Sequence, residues 1–173
     1  KEHFGDGKKW GVTINYIYEG KPLGTAGGLG LLPSDLPKLP ILMMNSDLLT
    51  TIDFEQLLNF HHKEGGDATM CVREYDFKVP YGVIEENDGR IISIKEKPVH
   101  KFFINAGIYV LSPSILNIVN GIDYLDMPQL LEKKIEDSGQ INMFPVHEYW
   151  LDIGQIDQFN QAQRDSKWLF DDW

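Results

Sequence analysis

Two aspartates each follow a short apolar run. Pro40-Ile-Leu-Met-Met44 leads through Asn45-Ser46 into Asp47, and Tyr149-Trp-Leu leads into Asp152. A run of this kind reads as a buried strand of a parallel sheet that delivers an acid at its C-terminal edge, where open α/β sheets bind ligands. Two such carboxylates, if they converge, suit a hard divalent cation holding a phosphate chain. Either one alone reads more readily as a turn-forming or helix-capping Asp. The remaining motifs weigh against that plainer reading.

Pro22-Leu-Gly-Thr-Ala-Gly-Gly-Leu-Gly30 is the most distinctive stretch. Its glycines allow close backbone approach, and residues from Ala26 to Leu32 can open a helix whose N–H groups face a ligand. The spacing is neither that of a dinucleotide fingerprint nor that of a P-loop. Lys95-Glu-Lys-Pro98 follows the strand-like Ile91-Ile-Ser-Ile94. Alternation puts Ile92, Ile94 and Glu96 on one face and Ser93, Lys95 and Lys97 on the other. A Glu accepts sugar hydroxyls and a Lys offers a point charge for phosphate, although the same pattern also protects an edge strand. Asn105-Ala-Gly107 opens a strand with room beside a ligand, and Tyr81-Gly82 precedes another in the same way. The adjacent His61 and His62 point to different sides of a helix, which suits a structural or surface role better than metal ligation. His100 and His147 have no paired ligands at a recognisable spacing, and no catalytic Ser or Cys constellation occurs.

Strand–helix–strand alternation carries these motifs. Val12–Tyr18 and Pro40–Met44 read as strands, and Asp53 caps a helix with an apolar face of Phe54, Leu57, Leu58 and His61. Asp67–Glu74 returns as a strand. Tyr81–Glu85, Arg90–Glu96 and Phe103–Leu111 form a strand-rich middle, the first two joined by the hairpin turn Asn87-Asp-Gly-Arg90. Pro113–Val119 and Met127–Asp137 read as helices, Ile141–Val146 as a strand, and Gln155–Arg164 as a closing helix. Lys1–Gly7 resembles the tail of a helix running into a glycine turn.

The 173 residues, 42% hydrophobic, suit one domain with a sizeable core. A net charge of −10 argues against general nucleic-acid binding. No apolar run is long enough to span a membrane, and no secretion signal pattern is seen. Cys71, the single cysteine, sits in a strand-like run where a thiol is usually inert packing; a reducing cytoplasm fits.

In order, Pro22-Leu-Gly-Thr-Ala-Gly27, Asn45-Ser-Asp47, Tyr81-Gly-Val83, Glu96-Lys-Pro98, Asn105-Ala-Gly107 and Trp150-Leu-Asp-Ile-Gly154 resemble the sugar-1-phosphate nucleotidyltransferases, nearest in flavour to the mannose-1-phosphate guanylyltransferase-like members. The resemblance implies a nucleotide-diphospho-sugar transferase fold of the Rossmann-like α/β class. That fold has a mixed, mostly parallel sheet with helices on both faces, and residues 1–173 form the C-terminal portion of the catalytic domain. A β-subregion over about residues 81–111 forms the sugar pocket. By the same resemblance, Asp47 and Asp152 hold Mg²⁺, and Leu23, Gly24, Thr25, Ala26 and Gly27 bind the nucleotide. Gly82, Glu96 and Asn105 contact the sugar, and Lys97 its phosphate. The implied substrates are an NTP, with GTP favoured, and a sugar 1-phosphate, giving an NDP-sugar and pyrophosphate. Neither nucleic acid nor membrane is expected as a partner, and a homo-oligomer is left open.

The family's Gly-Gly-x-Gly-Thr-Arg-Leu loop, with the Lys-Pro that follows it in the same signature, does not occur among these residues; Lys21-Pro22 and Lys97-Pro98 stand in other motifs. The expectation is a chain lacking the first βαβ portion, inactive or nearly so by itself, with an unpaired apolar edge at Ile41–Met44 and an open groove beside it. Ser46 stands where the family usually has Gly, tolerable if the backbone there has negative φ. A non-catalytic module binding sugar phosphate or NDP-sugar is the main alternative. A nicotinamide oxidoreductase is a weaker one, since the dinucleotide fingerprint is missing.

Overall fold

The computed structural model describes residues 1–119 and 124–170. Its main sheet has four strands: β1 (Ile41–Met44), β3 (Ala68–Lys78), β6 (Val99–Leu111) and β7 (Ile141–Pro145), in the order β1-β6-β3-β7. β3 and β7 pair in parallel, whereas β6 runs antiparallel between β1 and β3. Three strands therefore point one way and one opposes them, so β1 has an antiparallel neighbour rather than the parallel one expected from its apolar run.

Alternation along β6 builds a core on each face. Tyr109 and Leu111 pack with Leu29, Ile115, Met127 and Leu130 on one side. Ala106, Ile108 and Val110 pack with Ile52, Leu57, Cys71 and Phe144 on the other. The first face is covered by a short helix α1 (Gly24–Gly27) with its following 3₁₀ turn, by α3 (Leu116–Val119) and by α4 (Met127–Glu136). The second is covered by α2 (Phe54–Glu64). Helices lie on both faces, as expected.

Asp53 caps α2, its carboxylate accepting the Gln56 N–H at 2.9 Å. One turn from the end of α2, His61 is buried and hydrogen-bonded to Thr69 Oγ1 at 2.9 Å and Ser112 Oγ at 3.2 Å. It ties the helix to β3 and to the residue after β6, while His62 is exposed. Burial of Cys71 pushes its thiol up to about 12, consistent with inert packing.

Two small antiparallel sheets flank the main one: β2 (Leu48–Thr50) with β8 (Trp150–Asp152), and β4 (Val83–Asn87) with β5 (Arg90–Lys95). The β4–β5 turn has Asp88 at φ 50° and Gly89 at φ 77°, the primed geometry that Asp-Gly favours. A bulge leaves Ile92 unpaired, and Lys97 turns left-handed at φ 44°. The expected strict alternation from Ile92 to Lys97 is therefore broken twice. The closing helix α5 (Ile156–Leu169) is present and longer than expected.

Val12–Tyr18 is not a strand: it has no ladder partner, and Val12, Tyr16, Ile17 and Tyr18 are exposed. A β-rich composition becomes a strand only where a neighbouring backbone supplies hydrogen bonds. Lys1–Gly5 closes one hydrogen-bonded turn, Gly5 N–H to Lys1 O at 2.8 Å, rather than a helix tail. β1 is the edge of its sheet, with Leu42 and Met44 exposed on the α2 side and a groove beside Ile41 lined by Leu29, Leu32, Leu36 and Leu116.

Burial holds the His61 imidazole below its ordinary pKa, with repulsion from His62 adding to it. The unfolded chain then binds the extra proton more readily, so stability rises with pH through the window below the unfolded value of about 6.5. Melting temperature should fall when pH is lowered from about 7.5 to about 5.5, and His61→Gln should flatten that dependence. An equal slope in both proteins, read by thermal denaturation, would contradict the assignment.

Candidate active site

The two carboxylates named from sequence are joined by a feature the sequence did not announce. In the β2–β8 ladder, Leu48 pairs with Asp152, Leu49 with Leu151 and Thr50 with Trp150. Just beyond the ladder, the Ile153 N–H donates to the Asp47 carbonyl at 2.8 Å. Asp47 and Asp152 thus lie within one residue of each other across two paired chains, although 105 positions separate them in sequence. Both are exposed. Asp152 belongs to this side ribbon rather than to the edge of a main-sheet strand.

Among the described residues no group of three or more His, Cys, Asp or Glu gathers that could hold a metal ion. Two carboxylates are nonetheless the protein share suited to Mg²⁺, which keeps waters and takes phosphate oxygens for its other positions. The hard-oxygen donor set fits that ion.

Three contacts hold the ribbon. Thr50 Oγ1 donates to the Tyr149 carbonyl at 2.8 Å, and the Thr51 N–H donates to the same oxygen at 3.0 Å. Trp150 Nε1–H donates to the Ala106 carbonyl at 2.8 Å, tying β8 to the centre of β6. Farther out, Tyr149 Oη donates to Asp165 and docks α5.

The Asn105-Ala-Gly107 segment follows a different logic from the open space expected. The Asn105 side chain accepts the Gly107 N–H at 2.9 Å and donates to Tyr109 Oη at 2.6 Å. Gly107 has φ 71°, and a Cβ there would lie 2.8 Å from Asn45 Nδ2. The room left by this glycine is filled by Asn45, whose N–H donates to the Gly107 carbonyl at 2.9 Å. Ser46 has no positive φ, so its difference from the family's Gly is accommodated.

Gly82 and Glu96 do meet: a Cβ at Gly82 would lie 3.2 Å from Glu96 Oε2. The Lys97 N–H donates to the Tyr81 carbonyl at 3.2 Å, and Lys97 Nζ lies 3.8 Å from Glu96 Oε1. Tyr81, Gly82, Glu96 and Lys97 therefore form one corner at the base of the β4–β5 hairpin.

The glycine stretch is also committed internally. Ala26 and Gly27 N–H groups donate to the Leu125 carbonyl at 2.8 and 3.0 Å, and the Thr25 N–H donates to Asp126 Oδ1 at 3.1 Å. Thr25 Oγ1 accepts the Met127 N–H at 2.8 Å, at the start of α4. The helix-start N–H groups expected to face a ligand are thus satisfied by residues 125–126. The sequence reading missed Asp126 and Arg73; a capping-type Asp before Met-Pro and a lone Arg after an apolar run were the available signals.

The sequence model of the family described as Nucleotidyl transferase matches residues 1–167. This chain belongs to that family. It is 36% identical over 162 residues to a mannose-1-phosphate guanyltransferase of Debaryomyces hansenii, an alignment covering 87% of this chain and 43% of that protein. A mannose-1-phosphate guanyltransferase of Aspergillus fumigatus is 34% identical over 178 residues, covering 94% and 49%. A solved structure of a presumed glucose-1-phosphate thymidylyltransferase from Bacillus anthracis superposes with a TM-score of 0.72 at 18% identity. It covers 96% of this chain and 70% of that one, and supports the fold. The chain spans a little under half the length of these two curated relatives.

Gly24 has φ 78°, and a Cβ there would lie 2.6 Å from the Leu125 carbonyl oxygen. Gly24→Ala should cost more than the roughly 1–2 kcal/mol of left-handed strain alone. Loss of cooperative unfolding, or a clear drop in denaturation midpoint, is the expected readout; an unchanged midpoint would refute the docking of this loop.

Proposed function

We propose that this protein transfers a nucleotidyl group from an NTP, GTP favoured, to a sugar 1-phosphate, releasing pyrophosphate and an NDP-sugar. The observation that supports the reading is the β2–β8 ladder, which pairs Asp152 with Leu48, the residue after Asp47. Their place in the ordered set of motifs and the names of the curated relatives support it further.

In this reading Asp47 and Asp152 hold Mg²⁺, which supplies charge neutralisation at the phosphates. The corner of Gly82 and Glu96 receives sugar hydroxyls together with Asn105, and Lys97 brings a positive charge to the sugar phosphate. An oxygen of that phosphate attacks the α-phosphorus of the NTP, and the bond to pyrophosphate breaks. Positioning and charge stabilisation suffice; no protein nucleophile is needed. Leu23, Gly24, Thr25, Ala26 and Gly27 flank the nucleobase through backbone surface, since the N–H groups of the last three are spent on residues 125–126. That commitment is also what favours the second reading, a module that binds sugar phosphate or NDP-sugar without turnover. A cytoplasmic setting belongs to the same proposal and is supported by the single, buried thiol of Cys71. Among the described residues no helix is long and apolar enough to cross a membrane.

Pyrophosphate release assayed with each NTP against hexose- and heptose-1-phosphates should be greatest with GTP. Asp152→Asn should lower kcat by about 100–1,000-fold while the circular dichroism spectrum stays native. Since no Arg-bearing phosphate loop occurs among residues 1–173, turnover by these residues alone should be slow at best. Binding of NDP-sugar with no turnover, even when a phosphate loop is supplied, would select the second reading.

A further inference from the structure

β8 has three residues and β2 has three, so the ladder between them is too short to fix its own register. A one-residue slip in a strand carries every side chain to the opposite face. Such a slip here would turn Asp152 to the other face of the ribbon. Something outside the ladder must hold β8 in place, and Arg73 is positioned to do so. This residue lies on β3, opposite Ile104 and next to the pair Val72–Asn105. Its Nη1 donates to the Glu148 carbonyl at 2.8 Å, and its guanidinium carbon stands 6.0 Å from the centre of the Trp150 ring.

Arg73 therefore grips the chain on both sides of Tyr149, by a hydrogen bond to residue 148 and by a cation–π contact with residue 150. Trp150 is in turn fixed to β6 through Ala106. Trp150 and Asp152 are two residues apart on a strand and share a face. Orienting the Trp150 ring thus orients the strand face that carries the acid. The planar fork matters: a guanidinium can donate in its plane to Glu148 and present its face to an aromatic ring, which an ammonium does less well. None of the site residues named from the sequence supplies this link between main sheet and side ribbon.

We propose that Arg73 is a positioning residue that sets the register of β8 and so fixes the face of the ribbon on which Asp152 stands, next to Asp47, for cation binding. The proposal rests on the reading of Asp47 and Asp152 as the Mg²⁺ ligands. Loss of a group that orients metal ligands typically weakens metal binding about 10–100-fold, and that is the effect expected here.

The test titrates Mn²⁺ into GTP with and without the 173-residue chain, following free Mn²⁺ by electron paramagnetic resonance and taking the difference as binding by the protein. Four variants are compared: Arg73→Met, which keeps an apolar stem without donors, Arg73→Lys, Trp150→Phe and Asp152→Asn. Amide hydrogen exchange at Ile153, whose N–H donates to Asp47, is measured on each. Arg73→Met should weaken Mn²⁺ binding within the stated range and speed exchange at Ile153, with the β3–β6 amides still protected. Arg73→Lys should recover part of both effects, and Trp150→Phe should fall between wild type and Arg73→Met. Unchanged Mn²⁺ affinity in Arg73→Met, while Asp152→Asn loses binding, would overturn the role of Arg73 and leave the metal reading standing. A lowered melting temperature without change in Mn²⁺ affinity would do the same. Wild type that binds no Mn²⁺, or Asp152→Asn that binds it as wild type does, would overturn the metal reading and this proposal with it.

Discussion

The backbone ladder of β6, thirteen residues long, is the constraint on which the rest of the molecule depends. It pairs with β1 on one side and with β3 on the other, both antiparallel. Its inner half places alternate side chains in two cores, so the sheet and both helical layers are registered against one strand. Removing any partner of β6 would open an apolar face to water at roughly 25 cal/mol per Å². The outer half of the same strand runs beyond the core as a ribbon with β3 and ends at Pro98, beside the Glu96–Lys97 corner.

The candidate site is assembled from what β6 touches. A bulge where Met70 pairs with Tyr109 and Val72 with Asn105 leaves Gly107 in a left-handed conformation, and Asn45 enters the space where a side chain would be. This seats the turn that carries Asp47. One residue earlier, the Ala106 carbonyl receives the Trp150 indole and so anchors the strand that carries Asp152. Both acids are positioned from adjacent residues of one strand. The geometry gives Asn-x-Gly and Trp-x-Asp a structural part: the side chains of Asn105 and Trp150 both bond to the backbone of β6.

Charge takes a subordinate part in stability. The ion pairs Lys95–Glu85 and Lys101–Glu74 are short, yet their side chains are 47% to 64% exposed, where such pairs contribute little. Lys134–Asp67 is the better shielded pair, and Asp67 also accepts from Ser114 and from the Gln140 N–H, joining α4 to the start of β3. Asp47 and Asp152, by contrast, stand exposed at the β2–β8 ribbon without such pairing to a basic side chain among the described residues.

What the sequence determined by itself was local. Apolar runs marked β1, β3 and β7, Asp53 marked the start of α2, and Asp88-Gly89 marked a primed hairpin, because capping, turn geometry and alternation act over a few residues. The order of motifs also sufficed to identify the family. Tertiary structure decided the rest. Val12–Tyr18 has strand composition but no ladder, since pairing needs a second backbone that composition cannot supply. The glycines of Gly24–Gly27 look like a ligand loop, yet three successive N–H groups from Thr25 to Gly27 are satisfied by Leu125 and Asp126, a hundred residues away. The two acids were legible as candidates, but their meeting depends on a three-residue ladder held by Trp150, Thr50 and Arg73. Contacts between segments so distant in the chain leave no local periodicity, and only the folded backbone brings them within hydrogen-bond reach.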